Sequence, residues 1–139
     1  MSDVESICMG GWEFFLSVPN PSFDDNKVGK WMFFSNDLER CREVTYNAVK
    51  NDIVSEAKYS YPDGGVCCFY LHIDDIEGHK RVISYFLKND MIKKTKAGKY
   101  YNISFKLDSQ TDAGTYGDSF QAELKLEQLM NLATGEWIQ

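Results

Sequence analysis

The sequence predicts an α+β domain in which two main helices pack on one face of an antiparallel sheet. Three observations predict this class: short runs of aromatic and β-branched residues recur along the chain, two segments have helical periodicity, and a hairpin lies between those segments. A doubly wound parallel fold would need a helix after nearly every strand. The antiparallel arrangement is therefore favoured.

The first half of the chain contains three predicted strands and the first helix. The strands cover residues 12–18, 30–34 and 53–61. The helix lies between the second and third strands, with Asn36 as its N-cap and its end near Asn51. Glu39 stands three residues after Asn36, which is the spacing of a capping box. The residues predicted to face inward are Leu38, Cys41, Val44, Ala48 and Val49.

The second half begins with a predicted turn, Pro62-Asp63-Gly64-Gly65. The fourth strand, 66–71, is apolar on both faces and should be central. Asp74 or Asp75 caps the second helix, which ends at Asn89. Its predicted inward residues are Ile76, Val82, Ile83, Phe86 and Leu87. The remaining predicted elements are a fifth strand at 100–107, a loop at 108–118, a sixth strand at 120–126, a helical turn at 127–132 and a short strand at 136–138.

Length and composition fit a single domain covering residues 1–139, with 14% aromatic residues and only three prolines. No apolar run approaches the ~20 residues that span a bilayer. The acidic first residues lack the basic lead of a signal peptide. The four cysteines show neither disulfide-framework nor zinc spacing. We therefore expect a cytoplasmic protein without a metal, a cofactor or a membrane partner.

The net charge of −6 is unevenly distributed. Between Lys88 and Lys106, six lysines face one acid, Asp90, so this stretch carries +5 and leaves −11 for the rest of the chain. An acidic body repels long nucleic acid and anionic membranes. A local lysine cluster can still hold one phosphate group, although a solvated charged loop is the alternative interpretation.

No catalytic motif is complete. Lys96-Ala97-Gly98-Lys99 lacks the upstream glycine of a P-loop, and Tyr100 stands where that loop has Ser or Thr. Nucleophile-elbow and dinucleotide-binding patterns are not found. His79 falls on the inward or bordering face of the second helix, which indicates a packing role. Asp74 and Asp75 indicate helix capping.

The most unusual segment is 102–117, where Lys106 lies inside a strand and a loop rich in hydroxyl and amide groups follows. Lysine, threonine and backbone amides near glycine are groups that bind phosphate oxygens. The loop residues of interest are Gln110, Thr111 and Tyr116. The segment therefore indicates a phosphate-binding site.

Two other lysines, Lys30 and Lys58, also lie in predicted strands, where lysine is disfavoured. If they share a sheet face with Lys106, the three form a cationic surface bordered by Trp31 and Tyr116. Three independent solvent-facing lysines are the alternative. Only the strand register decides between them.

Several short motifs occur in a characteristic order: Gly29-Lys30-Trp31, then Glu56-Ala57-Lys58, then 66–70 with Asp74-Asp75, and finally 105–108 with Thr111 and 114–116. This order, over about residues 29–117, resembles the uncharacterised family described as phosphothreonine lyase domain proteins. Phe105 stands where the family pattern has tyrosine.

The resemblance implies the fold of the cap-binding translation initiation factor 4E, a curved antiparallel sheet with helices on its convex side. In that fold the concave face binds a nucleotide between Trp rings, and basic residues contact its phosphates. Lyase chemistry would need a base, an acid and an arginine clamp. The available arginines, Arg40, Arg42 and Arg81, all lie in predicted helices.

The leading hypothesis is non-catalytic binding of a small phosphorylated ligand, foremost a nucleotide or a nucleotide-derived signal. Lysines 30, 58 and 106 would contact phosphate, and Gln110 and Thr111 would hydrogen-bond to the ligand. Trp31 or Tyr116 would stack on a base. Such a binder could sequester a signalling nucleotide, for example in phage–host conflict.

Two alternatives stay open. One is a phosphate-eliminating lyase or phosphodiesterase, which would place His72 or His79 beside Lys106. The other is an acidic protein-binding inhibitor that mimics nucleic acid. A homodimer or another protein partner is compatible with either.

Overall fold

The computed structural model describes residues 3–109 and 124–138. This part of the chain forms a curved seven-stranded antiparallel sheet and two α-helices, so the predicted α+β class is confirmed. The elements are β1 Asp3–Met9, β2 Trp12–Val18, β3 Val28–Ser35, α1 Leu38–Lys50, β4 Glu56–Ser60, β5 Gly65–His72, α2 Ile76–Lys88, β6 Ser104–Leu107 and β7 Leu124–Lys125. Their order in the sheet is β1-β2-β4-β5-β3-β6-β7, which puts the predicted central strand at the centre as β5.

The first strand was not predicted. β1 pairs with β2 from Asp3 opposite Val18 to Met9 opposite Trp12. The two strands are joined at Gly10 and Gly11, whose φ angles of 61° and 83° suit a tight hairpin turn. The sequence prediction missed β1 because an exposed edge strand lacks the apolar run or alternation that marks buried strands.

Both helices form where periodicity predicts them. α1 ends near Asn51 as predicted, with Asn51 as its C-cap, and Asn89 is the predicted C-cap of α2. The N-cap of α1 is Asp37, not Asn36, since the Asp37 carboxylate accepts the Arg40 backbone N–H at 3.2 Å. In α2, the Asp75 carboxylate accepts the Gly78 N–H at 3.0 Å. Ile76 was wrongly predicted to face inward.

Ile76 is 37% exposed because it begins α2, and the buried stripe starts at Gly78 and His79. That stripe packs on the same sheet face as α1, and the rings of Phe69 and Phe86 meet at 5.0 Å. The main core therefore lies between the sheet and the two helices.

The later elements are shorter than predicted. β4 and β6 each occupy only the C-terminal part of the predicted 53–61 and 100–107. Of the predicted sixth strand, 120–126, the structure describes residues 124–126. Residues 124 and 125 form β7, and Leu126 begins the helical turn Leu126–Gln128. The predicted last strand is reduced to one bridge between Met130 and Trp137. Within the described ranges, neither α1 nor α2 is long and apolar enough to cross a membrane.

Candidate functional site

The strand registers place three lysines on the sheet face that points away from the helices. Lys30 of β3 lies directly opposite Lys106 of β6 on one side and Tyr70 of β5 on the other. Lys58 of β4 lies opposite Cys68, two residues before Tyr70 in β5. Residues two apart in a strand share a face. We call the side of the sheet that carries Lys30, Lys58, Lys106, Cys68 and Tyr70 the lysine face; Lys30, Cys68 and Tyr70 are buried there.

Lys30 and Lys106 form a cross-strand pair of like charges, an arrangement that destabilises a sheet. Lys30 is only 8% exposed, and its Nζ lies 2.8 Å from Asp108 Oδ1. The pKa of Lys106 is lowered, first by burial and then by the charge of Lys30. Two lysines thus meet at the β3–β6 pair, and the Asp108 carboxylate pairs with one of them.

Lys58 is held by aromatic rings. Its Nζ lies 3.9 Å from the centroid of Trp12, 5.2 Å from that of Phe14 and 5.8 Å from that of Tyr70. Among the residues that the structure describes, no carboxylate forms an ion pair with Lys58. Burial lowers its pKa. The ammonium group is therefore stabilised mainly by cation–π contacts.

Two groups close to the lysines have raised pKa values. Burial, and then the negative charge of Asp108, raises the pKa of Glu56. Burial raises the pKa of the Cys68 thiol to about 11, so this thiol is protonated at neutral pH and is a poor nucleophile. The described part of the lysine face therefore combines cations and rings with the Glu56 carboxyl, which lies two residues before Lys58 in β4.

Trp31 does not lie on this face. It follows Lys30 in β3 and therefore points to the opposite side, where it is 0% exposed against α2. Its indole N–H donates to His79 Nδ1 at 3.0 Å. The tryptophan beside the lysines is Trp12, which the sequence analysis missed, since only the β2–β4 register brings it to Lys58.

The three predicted loop residues, Gln110, Thr111 and Tyr116, lie outside the described residues.

The two histidines take different faces. His79 is buried on the helix side, and its Nε2–H donates to the Ile73 carbonyl at 2.8 Å, in agreement with the predicted packing role. His72 ends β5 on the same face as Tyr70, but its Nε2 accepts the Asp24 backbone N–H at 2.9 Å. Its ring also packs edge-on against Phe23.

The three arginines contact the helix side of the molecule. Arg40 donates to the Asn89 carbonyl, Arg42 pairs with Glu13 at 3.3 Å, and Arg81 donates to the Ile53 carbonyl. None of them reaches the lysine face. In the described ranges, no three His, Cys, Asp or Glu side chains come together as a metal site would require.

Comparison with known proteins adds no family: the sequence matches no family model, and no curated protein matches it.

Proposed function

We propose that this chain binds a small phosphorylated ligand, foremost a nucleotide or a nucleotide-derived signal, on the lysine face and releases it unchanged. The observation that carries the proposal is the placement of Lys30 directly opposite Lys106, with Lys58 on the same face. Asp108 balances one of these charges, since its Oδ1 lies 2.8 Å from Lys30 Nζ. A bound phosphate group adds charge-assisted hydrogen bonds to the ammonium groups on this face.

The aromatic part of the site is Trp12 instead of Trp31. Because Lys58 Nζ lies 3.9 Å from the Trp12 ring centroid, a phosphate that attracts Lys58 also uncovers that ring. A base can then stack on the ring, an interaction worth about 1–3 kcal/mol. Gln110, Thr111 and Tyr116 remain in the proposal as further ligand contacts.

The cysteine and the histidines near the lysines support binding more than catalysis. The Cys68 thiol is protonated, His72 already accepts a backbone N–H, and His79 lies on the other face. Elimination of phosphate would need a positioned base and acid. We propose the sequestration of a signalling nucleotide, for example in phage–host conflict, as the role of such binding.

We also propose that the sheet has the topology of the cap-binding initiation factor 4E and that the lysine face is its concave side. The antiparallel sheet with both helices on one face supports this assignment. Membership in the phosphothreonine lyase domain family stays a proposal on the motif order alone.

Isothermal titration calorimetry against nucleoside mono-, di- and triphosphates, cyclic dinucleotides and inorganic phosphate tests the proposal. We expect one nucleotide class to bind, and Lys106→Ala and Lys58→Met each to weaken it about tenfold or more. Lys80→Ala is the matched control, because it removes one lysine from α2 on the opposite side of the sheet. Unchanged affinity in Lys106→Ala, or no binding across the panel, contradicts the assignment.

Mass spectrometry separates binding from turnover. After incubation and denaturation, a binder returns the nucleotide intact, whereas a lyase or phosphodiesterase leaves a product of different mass. Product formation that Lys106→Ala abolishes would replace the binding proposal with the enzymatic one.

A further inference from the structure

β3 has an open edge where β6 stops. β5 pairs with β3 as far as Ser35 opposite Gly65, but β6 pairs only with Gly29 to Trp31. In the chain before β6, the Tyr101 N–H donates to the Lys93 carbonyl at 2.9 Å and the Ile103 N–H to the Tyr101 carbonyl at 3.0 Å, so neither N–H pairs with β3. Within the described residues, β3 from Met32 to Ser35 is therefore paired on one side only.

A cleft of about 380 Å³ lies along this open edge. Met32, Phe33 and Phe34 form one wall, and Tyr101 and Ile103 belong to the other. Phe34 is 63% exposed and Tyr101 is 49% exposed, so two large rings stand in solvent beside the cleft. We call this feature the β3–β6 cleft. It combines backbone groups without a strand partner and apolar walls.

This edge lacks the usual protection against strand pairing. Exposed edge strands normally carry charged residues or proline, as β1 does with Asp3 and Glu5. The open part of β3, 32–35, contains neither. Alternate residues of an antiparallel strand direct their N–H and C=O groups to the same side, so this segment can accept an added strand.

The charge beside the cleft is positive. Lys93 belongs to its lining, and three more exposed lysines, Lys94, Lys96 and Lys99, follow in the adjoining turn. The Thr95 N–H closes that turn on the Lys99 carbonyl at 2.7 Å. Within 88–106 the only acidic residue is Asp90. The cleft therefore complements an acidic partner, although the chain as a whole is acidic.

We propose that the β3–β6 cleft binds an extended acidic segment of a partner protein as an added strand beside residues 32–35. Backbone hydrogen bonds to β3 supply the pairing, and an apolar side chain of the segment packs between Phe34 and Tyr101. Acidic residues that flank this side chain face Lys93 and the adjoining turn. This is the strand-addition mode of peptide recognition. Four residues at about 3.4 Å each set the length of the paired segment near 14 Å.

A displayed library of heptapeptides, with Asp or Glu flanking a core of Val, Ile, Tyr and Phe, tests this surface. The full chain is the bait, and fluorescence anisotropy measures the dissociation constants of the selected peptides. We expect binding that weakens about tenfold or more when alternate peptide nitrogens are methylated, because methylation removes the strand hydrogen bonds. Lys93→Glu should weaken the same peptides.

Phe34→Ser and Met9→Ser form a matched pair for the control. Both residues are solvent-exposed, at 63% and 65%, so neither change should prevent folding. Only Phe34→Ser should weaken peptide binding, since Met9 lies in β1 at the far edge of the sheet. Equal effects of the two variants, or methylated peptides that bind as well as unmethylated ones, overturn the proposal.

Sedimentation of the chain alone tests whether a second copy of the chain occupies the β3–β6 cleft instead. A dimer that Phe34→Ser dissociates would assign the cleft to a second copy and overturn the acidic partner segment. Peptide binding to the β3–β6 cleft is independent of the proposed nucleotide site, so Lys106→Ala should leave peptide affinity unchanged.

Discussion

The hydrogen bond from Trp31 to His79 joins the sheet to α2. His79 Nδ1 accepts the indole N–H at 3.0 Å, and Nε2–H donates to the Ile73 carbonyl at 2.8 Å. One ring nitrogen must therefore accept and the other must donate, which only the neutral imidazole can do. A second proton on the ring would oppose the Trp31 N–H, so the folded state excludes it.

We expect acid to destabilise the fold through His79. Burial lowers the pKa of His79 in the folded chain below the ordinary 6.5. At a pH between the folded and the unfolded pKa, the unfolded chain therefore binds a proton that the folded chain excludes. The free energy of unfolding therefore falls as the pH drops below 6.5, by at most about 1.4 kcal/mol per pH unit. Urea unfolding from pH 8 to pH 5.5 measures the slope.

His79→Gln should remove that dependence, and His72→Gln, which changes the histidine on the other face, should keep it. An unaltered slope in His79→Gln would show that other groups cause the acid sensitivity.

At the scale of elements, Gly29 explains how closely β6 approaches β3. A Cβ atom at this position would lie 2.5 Å from Phe105 Cε2 and 2.6 Å from the Lys106 carbonyl oxygen. A backbone atom cannot move aside without disturbing the strand pairing. The glycine of the Gly29-Lys30-Trp31 motif is therefore required by the same β3–β6 contact that brings Lys30 and Lys106 together.

Gly29→Ala should lower the free energy of unfolding by about 1–3 kcal/mol, because the added methyl overpacks this contact. Differential scanning calorimetry measures the change, and hydrogen exchange should show reduced protection of the β6 amides. Adding Phe105→Leu to Gly29→Ala should recover protection of β6 in part, since it removes the ring that the methyl meets. A wild-type melting temperature in Gly29→Ala would contradict this packing.

In the whole molecule, the sheet separates the main core, under the helices, from the lysine face, where Cys68 and Tyr70 belong to a second, smaller buried cluster. Lys58 belongs to the lysine face, and burial lowers its pKa below 10.5. The fold therefore bears a cost for the charged amine at neutral pH, and that cost declines as the pH rises toward 10.5.

Lys58→Met should keep or raise the free energy of unfolding at pH 7, since an apolar side chain of similar length replaces a desolvated cation among rings. The same variant should lose nucleotide affinity. Chemical denaturation and calorimetry on one preparation test both results. A clear loss of stability would show that the cation–π contacts of Lys58 outweigh its desolvation.

The sequence predicted the elements whose local pattern is strong. Both helices were predicted from periodicity, the end of α1 near Asn51, the C-cap of α2 at Asn89, and the central strand from an apolar run on both faces. β1 was not predicted, because an exposed edge strand lacks the apolar pattern that burial imposes on a sequence. The α1 N-cap was misplaced by one residue, since Asn36 and Asp37 are equally suitable caps by type.

Within the candidate site, the residue types indicated the lysines in strands. Trp31 follows Lys30 directly, so side-chain alternation puts the two residues on different faces of the sheet. The position of Trp12 beside Lys58 could not be predicted, because it depends on the pairing of β2 with β4, which are far apart in the chain. The open edge at 32–35 likewise depends on where β6 begins, which is at Ser104, four residues later than the predicted start at 100.

By itself, the sequence determined the α+β class, both helices, and the two side-chain sets that alternate along each strand, because periodicity and capping act between near neighbours. Only the tertiary structure decided that Lys30, Lys58 and Lys106 share one face and that β3 keeps an open edge. Both depend on strand order and register across the sheet. These pairings are set by the packing of the whole core, so no local pattern of residues could specify them.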